Sequence, residues 1–213
     1  IALYGGSTPR QIFEYLSENY SDKIDWKKLK LFWGDERCVP PENNDSNFKM
    51  AFESLLKKVP MPEENIFRIY GEADPIEEAK RYSEIIKNNV QSVNDVPSFD
   101  LVLLGLGEDG HTASIFPNHL GLFYSTDLCI TTKHPQSRHD RITVTGKVIN
   151  SATRVIFIVT GDNKAQIVSE IIGANSGKIF PAKLVNPVNG ELIWMLDTAA
   201  AQKLDSEIQT TGI

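Results

Sequence analysis

Three short clusters hold most of the residues able to do chemistry. In Gly105-Leu106-Gly107-Glu108-Asp109-Gly110-His111-Thr112-Ala113-Ser114, glycines bracket an aspartate and a histidine. An imidazole beside carboxylates is a natural general base, because its ordinary pKa of ~6.5 leaves much of it neutral near pH 7. The second cluster, Trp33-Gly34-Asp35-Glu36-Arg37, sets two acids and an arginine in a row. Such a triplet can orient a base and grip an anion, or it can be an ordinary solvated turn. The third, Gly5-Gly6-Ser7-Thr8-Pro9, pairs two glycines with a helix start. Free N–H groups and the positive end of a helix dipole there suit a phosphate, though a plain strand-to-helix turn reads the same way. Arg141 and Lys183 are two further cations that could meet an anion.

Several chemistries find little support. Gly105–Gly110 satisfies the G-x-G-x-x-G pattern, but Glu108 and Asp109 would face the pyrophosphate of a dinucleotide, and Asp127 precedes its apolar run instead of ending it. No Gly-Lys-Ser/Thr follows Gly5-Gly6, so a Walker loop is excluded, and no G-x-S-x-G elbow is present. Cys38 and Cys129 lie far apart, outside any C-x-x-C pair and away from histidines in sequence. His111 with Asp109, Asp35 and Glu36 could ligate a cation, but no His/Cys set accompanies them.

The elements that must position these clusters alternate. Strands are expected at Ile1–Tyr4, Leu29–Trp33, Ile66–Tyr70, Phe99–Leu104, Leu128–Thr132, Arg141–Thr145, Arg154–Thr160 and Leu192–Leu196. Helices are expected at Pro9–Tyr20, Ser46–Val59, from Asp74-Pro75 to about Val90, Asp162–Ile172 and Thr198–Leu204. Asp74-Pro75-Ile76-Glu77 combines an acidic cap, a proline in the first turn and a glutamate behind it. This alternation predicts an α/β fold of three layers, a mainly parallel sheet with helices on both faces. Ligands in such sheets bind beyond the carboxyl ends of the strands, and the polar clusters follow strands.

Composition bounds the role. The 213 residues suit a single domain spanning 1–213. The opening Ile-Ala-Leu-Tyr-Gly-Gly reads as part of a strand, so an N-terminal segment, with any targeting address, is expected to be missing. A net charge of −6 without basic blocks argues against nucleic-acid or membrane-surface partners. No apolar run approaches the ~20 residues of a membrane span. Two free thiols and the lack of a visible signal peptide favour the cytoplasm.

With these residues in place, the chain resembles the 6-phosphogluconolactonase family. The resemblance runs from Ile1 to about Leu204. It rests on the three clusters together with Val39-Pro40, Asp45-Ser46-Asn47, Phe116-Pro117, Arg141-Ile142-Thr143-Val144-Thr145 and Phe180-Pro181-Ala182. It implies a modified Rossmann fold like that of glucosamine-6-phosphate deaminase and ribose-5-phosphate isomerase. The activity implied is hydrolysis of 6-phospho-D-glucono-1,5-lactone in the oxidative pentose phosphate pathway, with no metal or cofactor. Fusion to, or pairing with, glucose-6-phosphate dehydrogenase is a further possibility.

On this reading His111 is the base, oriented by Asp35 or Asp109. Arg37 or the Gly107–Gly110 turn stabilises the oxyanion. The substrate lies on Gly5, Gly6, Ser7, Thr8 and Gly107, with Arg141 or Lys183 neutralising its phosphate. Tyr4 stands where the family usually has Ser, which predicts weaker phosphate binding. The long segment Lys133–Asp140 leaves Arg138 as a competitor to Arg141. The rivals are a sugar-phosphate isomerase or deaminase using Asp35 as base, and a non-catalytic sugar-phosphate sensor.

Overall fold

The computed structural model describes residues 1–173 and 177–205. In chain order come β1 (Ala2–Leu3), α1 (Ser7–Asn19), β2 (Leu31–Trp33), β3 (Asp35–Arg37), α2 (Asn47–Ser54), β4 (Ile66–Phe67) and α3 (Pro75–Asn89). A small hairpin of β5 (Ser92–Val93) and β6 (Val96–Pro97) follows. Then come β7 (Val102–Leu104), β8 (Cys129–Lys133), β9 (Asp140–Val144) and α4 (Gly146–Asn150). The chain continues with β10 (Arg154–Val159), α5 (Ala165–Ile172), β11 (Glu191–Leu196) and α6 (Thr198–Ala201).

Six strands form one sheet in the order β11-β10-β7-β1-β2-β4, and all its pairings are parallel. Alternate residues of β10 (Val155, Phe157 and Val159) are buried, and Phe157 stacks on Trp194 of β11 with ring centroids 4.1 Å apart. From β1 the chain winds outward to β2 and β4. From β7 it winds the opposite way, to β10 and β11. The direction therefore reverses between the neighbours β1 and β7, and right-handed crossovers open a crevice at their carboxyl ends. Gly5-Gly6 leaves β1 there, and Gly105–Gly107 leaves β7.

The sheet arrangement departs from the sequence reading in one respect. β3, β9 and β8 form a separate antiparallel sheet, with Asp35 opposite Thr143, Glu36 opposite Ile142 and Arg37 opposite Arg141. Asp35-Glu36-Arg37 is therefore a strand, not a turn. Its first two side chains are acidic yet buried, so the apolar alternation that marks a strand is missing.

The helix expected over Ser46–Val59 also divides. α2 ends at Ser54, Leu55 leaves helical geometry at φ −130° and ψ −64°, and a single 3₁₀ turn covers Leu56–Lys58. The Ser54 hydroxyl donates to the Met50 carbonyl at 2.6 Å, a back-bond that competes with the helix ladder. The start of α3 is as its sequence predicts: the Asp74 carboxylate accepts from the backbone N–H groups of Ile76 and Glu77 at 3.0 and 3.1 Å.

Candidate active site

A cleft of about 240 Å³ opens where the main sheet reverses. The loop after β1 supplies Tyr4, Gly5 and Gly6, the start of α1 supplies Ser7 and Thr8, and the loop after β7 supplies Gly107 and His111. Asp35 and Arg37 of β3, Arg141 of β9 and Asn47 of α2 form the facing wall. Thr160 and Lys164, after β10, complete it.

His111 is held from two sides. Its Nδ1 lies 2.5 Å from Asp109 Oδ1, and its backbone N–H donates to the same oxygen at 3.1 Å. Burial alone would raise the Asp109 carboxyl. The hydrogen bonds and charge of His111 outweigh it and hold the group below its ordinary value, so Asp109 stays an acceptor. The proton of a neutral ring therefore sits on Nδ1, which leaves the Nε2 lone pair for chemistry.

Gly107 makes room for this arrangement: a Cβ there would lie 2.1 Å from His111 Nδ1 and 2.6 Å from Asp109 Oδ1. Gly107→Ala is expected to tilt the ring and lower turnover by about 10–100-fold in a folded protein, since a misplacement of about 1 Å can cost that much. Steady-state kinetics beside a circular dichroism spectrum checks it.

Of the two aspartates offered as orienters, only Asp109 touches His111. Asp35 is buried and turns elsewhere: its Oδ2 accepts from the Ser114 hydroxyl at 2.6 Å, and its carbonyl and Oδ1 accept from Asn47 Nδ2 at 2.9 and 3.3 Å. Glu36 has an architectural place. It is 2% exposed and accepts from the N–H groups of Arg37, Asn47 and Phe48 and from the Ser46 hydroxyl. Burial pushes its carboxyl up against the pull of those hydrogen bonds. It ties β3 to the start of α2 and so sets Asn47 in the wall.

The cations sort cleanly. Arg37 and Arg141 face one another across β3 and β9, and both line the cleft. Arg37 Nη1 donates to the Asp45 carbonyl. Burial above all, and to a lesser degree the charge of Arg37, hold Arg141 below its ordinary value, although Asp35 pulls the other way. Like charges directly opposite on a sheet repel, and negatively charged groups of a ligand in the cleft would relieve this.

Arg138 instead lines a separate depression with His119, Leu122 and Lys133. Lys183 belongs to the 3₁₀ turn Pro181–Leu184 and does not line the cleft. Lys164, which the sequence reading passed over, does. The signal was available, since Lys164 follows the carboxyl end of β10. In the Gly107–Gly110 turn, the N–H of Gly107 donates to the His111 carbonyl and that of Gly110 to the Gly107 carbonyl. Neither of these two is left for an oxyanion.

Unpaired polar atoms mark the same place. Among the described residues, five buried side-chain atoms lack a hydrogen-bond partner, and four of them belong to cleft residues: Tyr4 Oη, Arg37 Nε, Asn47 Oδ1 and Arg141 Nε. Buried polar groups are rarely left so, and four of the five lie on residues of this one cleft. No three His, Cys, Asp or Glu side chains among the described residues are grouped to hold a metal ion.

A family model described as glucosamine-6-phosphate isomerases/6-phosphogluconolactonase matches residues 1–194. The chain belongs to this family. Within it, the chain is 40% identical over 210 residues to the 6-phosphogluconolactonase of Haemophilus influenzae, covering 96% of this chain and 87% of that one. Its fold superimposes on the crystal structure of devB protein with a TM-score of 0.92 at 39% identity, covering 96% and 86% of the two chains. The 6-phosphogluconolactonase of Trypanosoma cruzi matches with a TM-score of 0.84 at 29% identity over 95% and 83%. Among the described residues no helix is long and apolar enough to cross a membrane.

Proposed function

We propose that the chain hydrolyses 6-phospho-D-glucono-1,5-lactone to 6-phospho-D-gluconate, the second step of the oxidative pentose phosphate pathway, with His111 as general base. The observation that carries the mechanism is the His111–Asp109 pair at the wall of a cleft that also holds two arginines and a lysine. A δ-lactone is an activated ester, so water can attack it without a covalent enzyme intermediate. His111 Nε2 takes a proton from that water as its oxygen bonds to the lactone carbonyl carbon. Negative charge develops on the carbonyl oxygen, and Arg37, a cation of the cleft wall, is our candidate to meet it. The carbon–ring oxygen bond then breaks, and protonated His111 returns its proton to the leaving alkoxide.

The phosphate rests on the N-terminus of α1 at Ser7 and Thr8, where no side chain caps the helix, with Lys164 and Arg141 supplying positive charge. Arg141→Met is expected to raise KM about tenfold or more while kcat changes little, since a charge-assisted hydrogen bond contributes roughly 1.5–3 kcal/mol. Steady-state kinetics at fixed ionic strength reads this directly.

An isomerase or deaminase reaction would use Asp35 as its base; each of its carboxylate oxygens accepts one hydrogen bond, from Asn47 or Ser114, and keeps a lone pair, so substrate preference decides between the readings. The deciding assay compares 6-phosphogluconolactone with glucosamine 6-phosphate, after subtraction of spontaneous lactone opening. Turnover of the amino sugar, or of neither compound, would overturn the proposal. The lactone is a hexose 6-phosphate oxidised at C1, so we extend the proposal to functional pairing with glucose-6-phosphate dehydrogenase in the cytoplasm.

A further inference from the structure

The two hydrogen bonds to Asp109 do not by themselves fix where His111 Nε2 lies. Both end on the same oxygen, and the Asp109 side chain is 47% exposed. The ring can still pivot about its Nδ1–Oδ1 contact, which swings Nε2 while the bond stays made. A base contributes fully only when its reacting atom is held in place. A restraint on the plane of the ring must come from elsewhere.

Phe116 supplies it. Its ring centroid lies 4.9 Å from that of His111 with the planes at 52°, within the range of favourable aromatic pairs. Phe116 is 1% exposed, yet it is not part of the main core cluster. Its carbonyl accepts from the His119 N–H at 2.9 Å. A second imidazole packs on it: the His134 ring meets Phe116 at 5.1 Å and 77°, edge to face.

His134 is itself tied down, at the start of the β8–β9 connection. Its N–H donates to the His139 carbonyl, and its carbonyl accepts from the Arg138 N–H, both at 3.0 Å. Its Nδ1 accepts from the backbone N–H groups of Gln136 and Ser137 at 3.2 and 3.1 Å. These bonds orient the ring and place the proton of its neutral form on Nε2. Burial, with the charges of Arg141 and His111 behind it, lowers the His134 pKa, which keeps Nδ1 an acceptor.

We propose that Phe116 is a positioning residue for His111, and that His134 acts through Phe116 as its brace. The inference rests on the lactonase reading and deepens it. Neither side chain lines the cleft, so both act through His111. The proposal also gives a task to the long segment Lys133–Asp140, which carries the brace.

Two substitutions of the partly buried His134 separate bracing from loop anchoring. His134→Asn keeps an acceptor for the Gln136 and Ser137 N–H groups and removes the ring. His134→Phe keeps a ring and removes the acceptor. His134→Asn should lower kcat about 3–10-fold, the range of one aromatic pair, with KM for the lactone and Kd for the product 6-phosphogluconate within about twofold. His134→Phe should hold kcat within about twofold of wild type. Phe116→Leu keeps an apolar group but no flat face, and should lower kcat about 10–100-fold, again with KM little changed. In that background His134→Asn should cost less than a further twofold, because the brace has no ring to hold.

A merely structural pair would lower the melting temperature and leave kcat of the folded enzyme alone. Should Phe116→Leu fail to fold, the comparison at His134 decides alone. His134→Asn turning over as fast as His134→Phe, or additive losses in the double variant, overturns the inference while leaving an active wild-type lactonase intact. A wild-type protein without lactonase activity would instead remove the reading beneath it.

Discussion

His111→Ala should lower kcat by about 10²–10⁴-fold, the usual contribution of a positioned base, in a protein that remains folded. The ring is about a third exposed, with Asp109 as its close polar contact and Phe116 4.9 Å away between ring centroids, so its loss costs little packing. KM should stay near the wild-type value, because the α1 N-terminus and the cleft cations are untouched. Asp109→Asn should follow with a smaller loss: it weakens the preference for the proton on Nδ1, but Gly107 still seats the ring. Rates corrected for spontaneous opening, taken beside circular dichroism spectra, measure both. A His111→Ala protein with near-normal lactonase activity would strip His111 of its role.

The second large effect falls on stability. Glu36→Ala removes the acceptor of four hydrogen bonds at once, three from backbone N–H groups and one from Ser46. Buried donors left unpaired cost roughly 1–3 kcal/mol each, and local relaxation recovers part of that, so a loss of about 3–5 kcal/mol is expected. Glu36→Gln keeps one acceptor oxygen and should cost about 1–3 kcal/mol. Urea unfolding curves for both variants check this. A loss below about 1 kcal/mol in Glu36→Ala would mean that the β3–α2 junction is held by something else.

How far the residues foretold the site depends on how local the controlling interaction is. The glycine turn carrying Asp109 and His111 was legible because its partners lie within a few residues. The crevice was legible because alternating strands and helices imply it, and the clusters follow strands. The place of β3 was not legible. It pairs with β9 roughly a hundred residues later, and its buried acids are satisfied by Ser46, Asn47 and Ser114 rather than by an apolar pattern. Sequence alone therefore offers Asp35 as a partner for the imidazole, and its hydrogen bonds go to Asn47 and Ser114 instead. Lys183 and Lys164 show the same limit: each follows a family-like or strand-end signal, and only the folded loop after β10 decides which faces the cleft.

The bare Cα atoms of Gly5 and Gly107, one under the Asn47 amide and the other under the His111 ring, also bear on how this enzyme can change. At both, the smallest possible substitution would strike a working side chain, so neither position is open to neutral drift. A library aimed at altered lactone preference should hold them fixed and diversify the exposed part of the β8–β9 connection, where new atoms meet solvent instead of the His111–Asp109 pair.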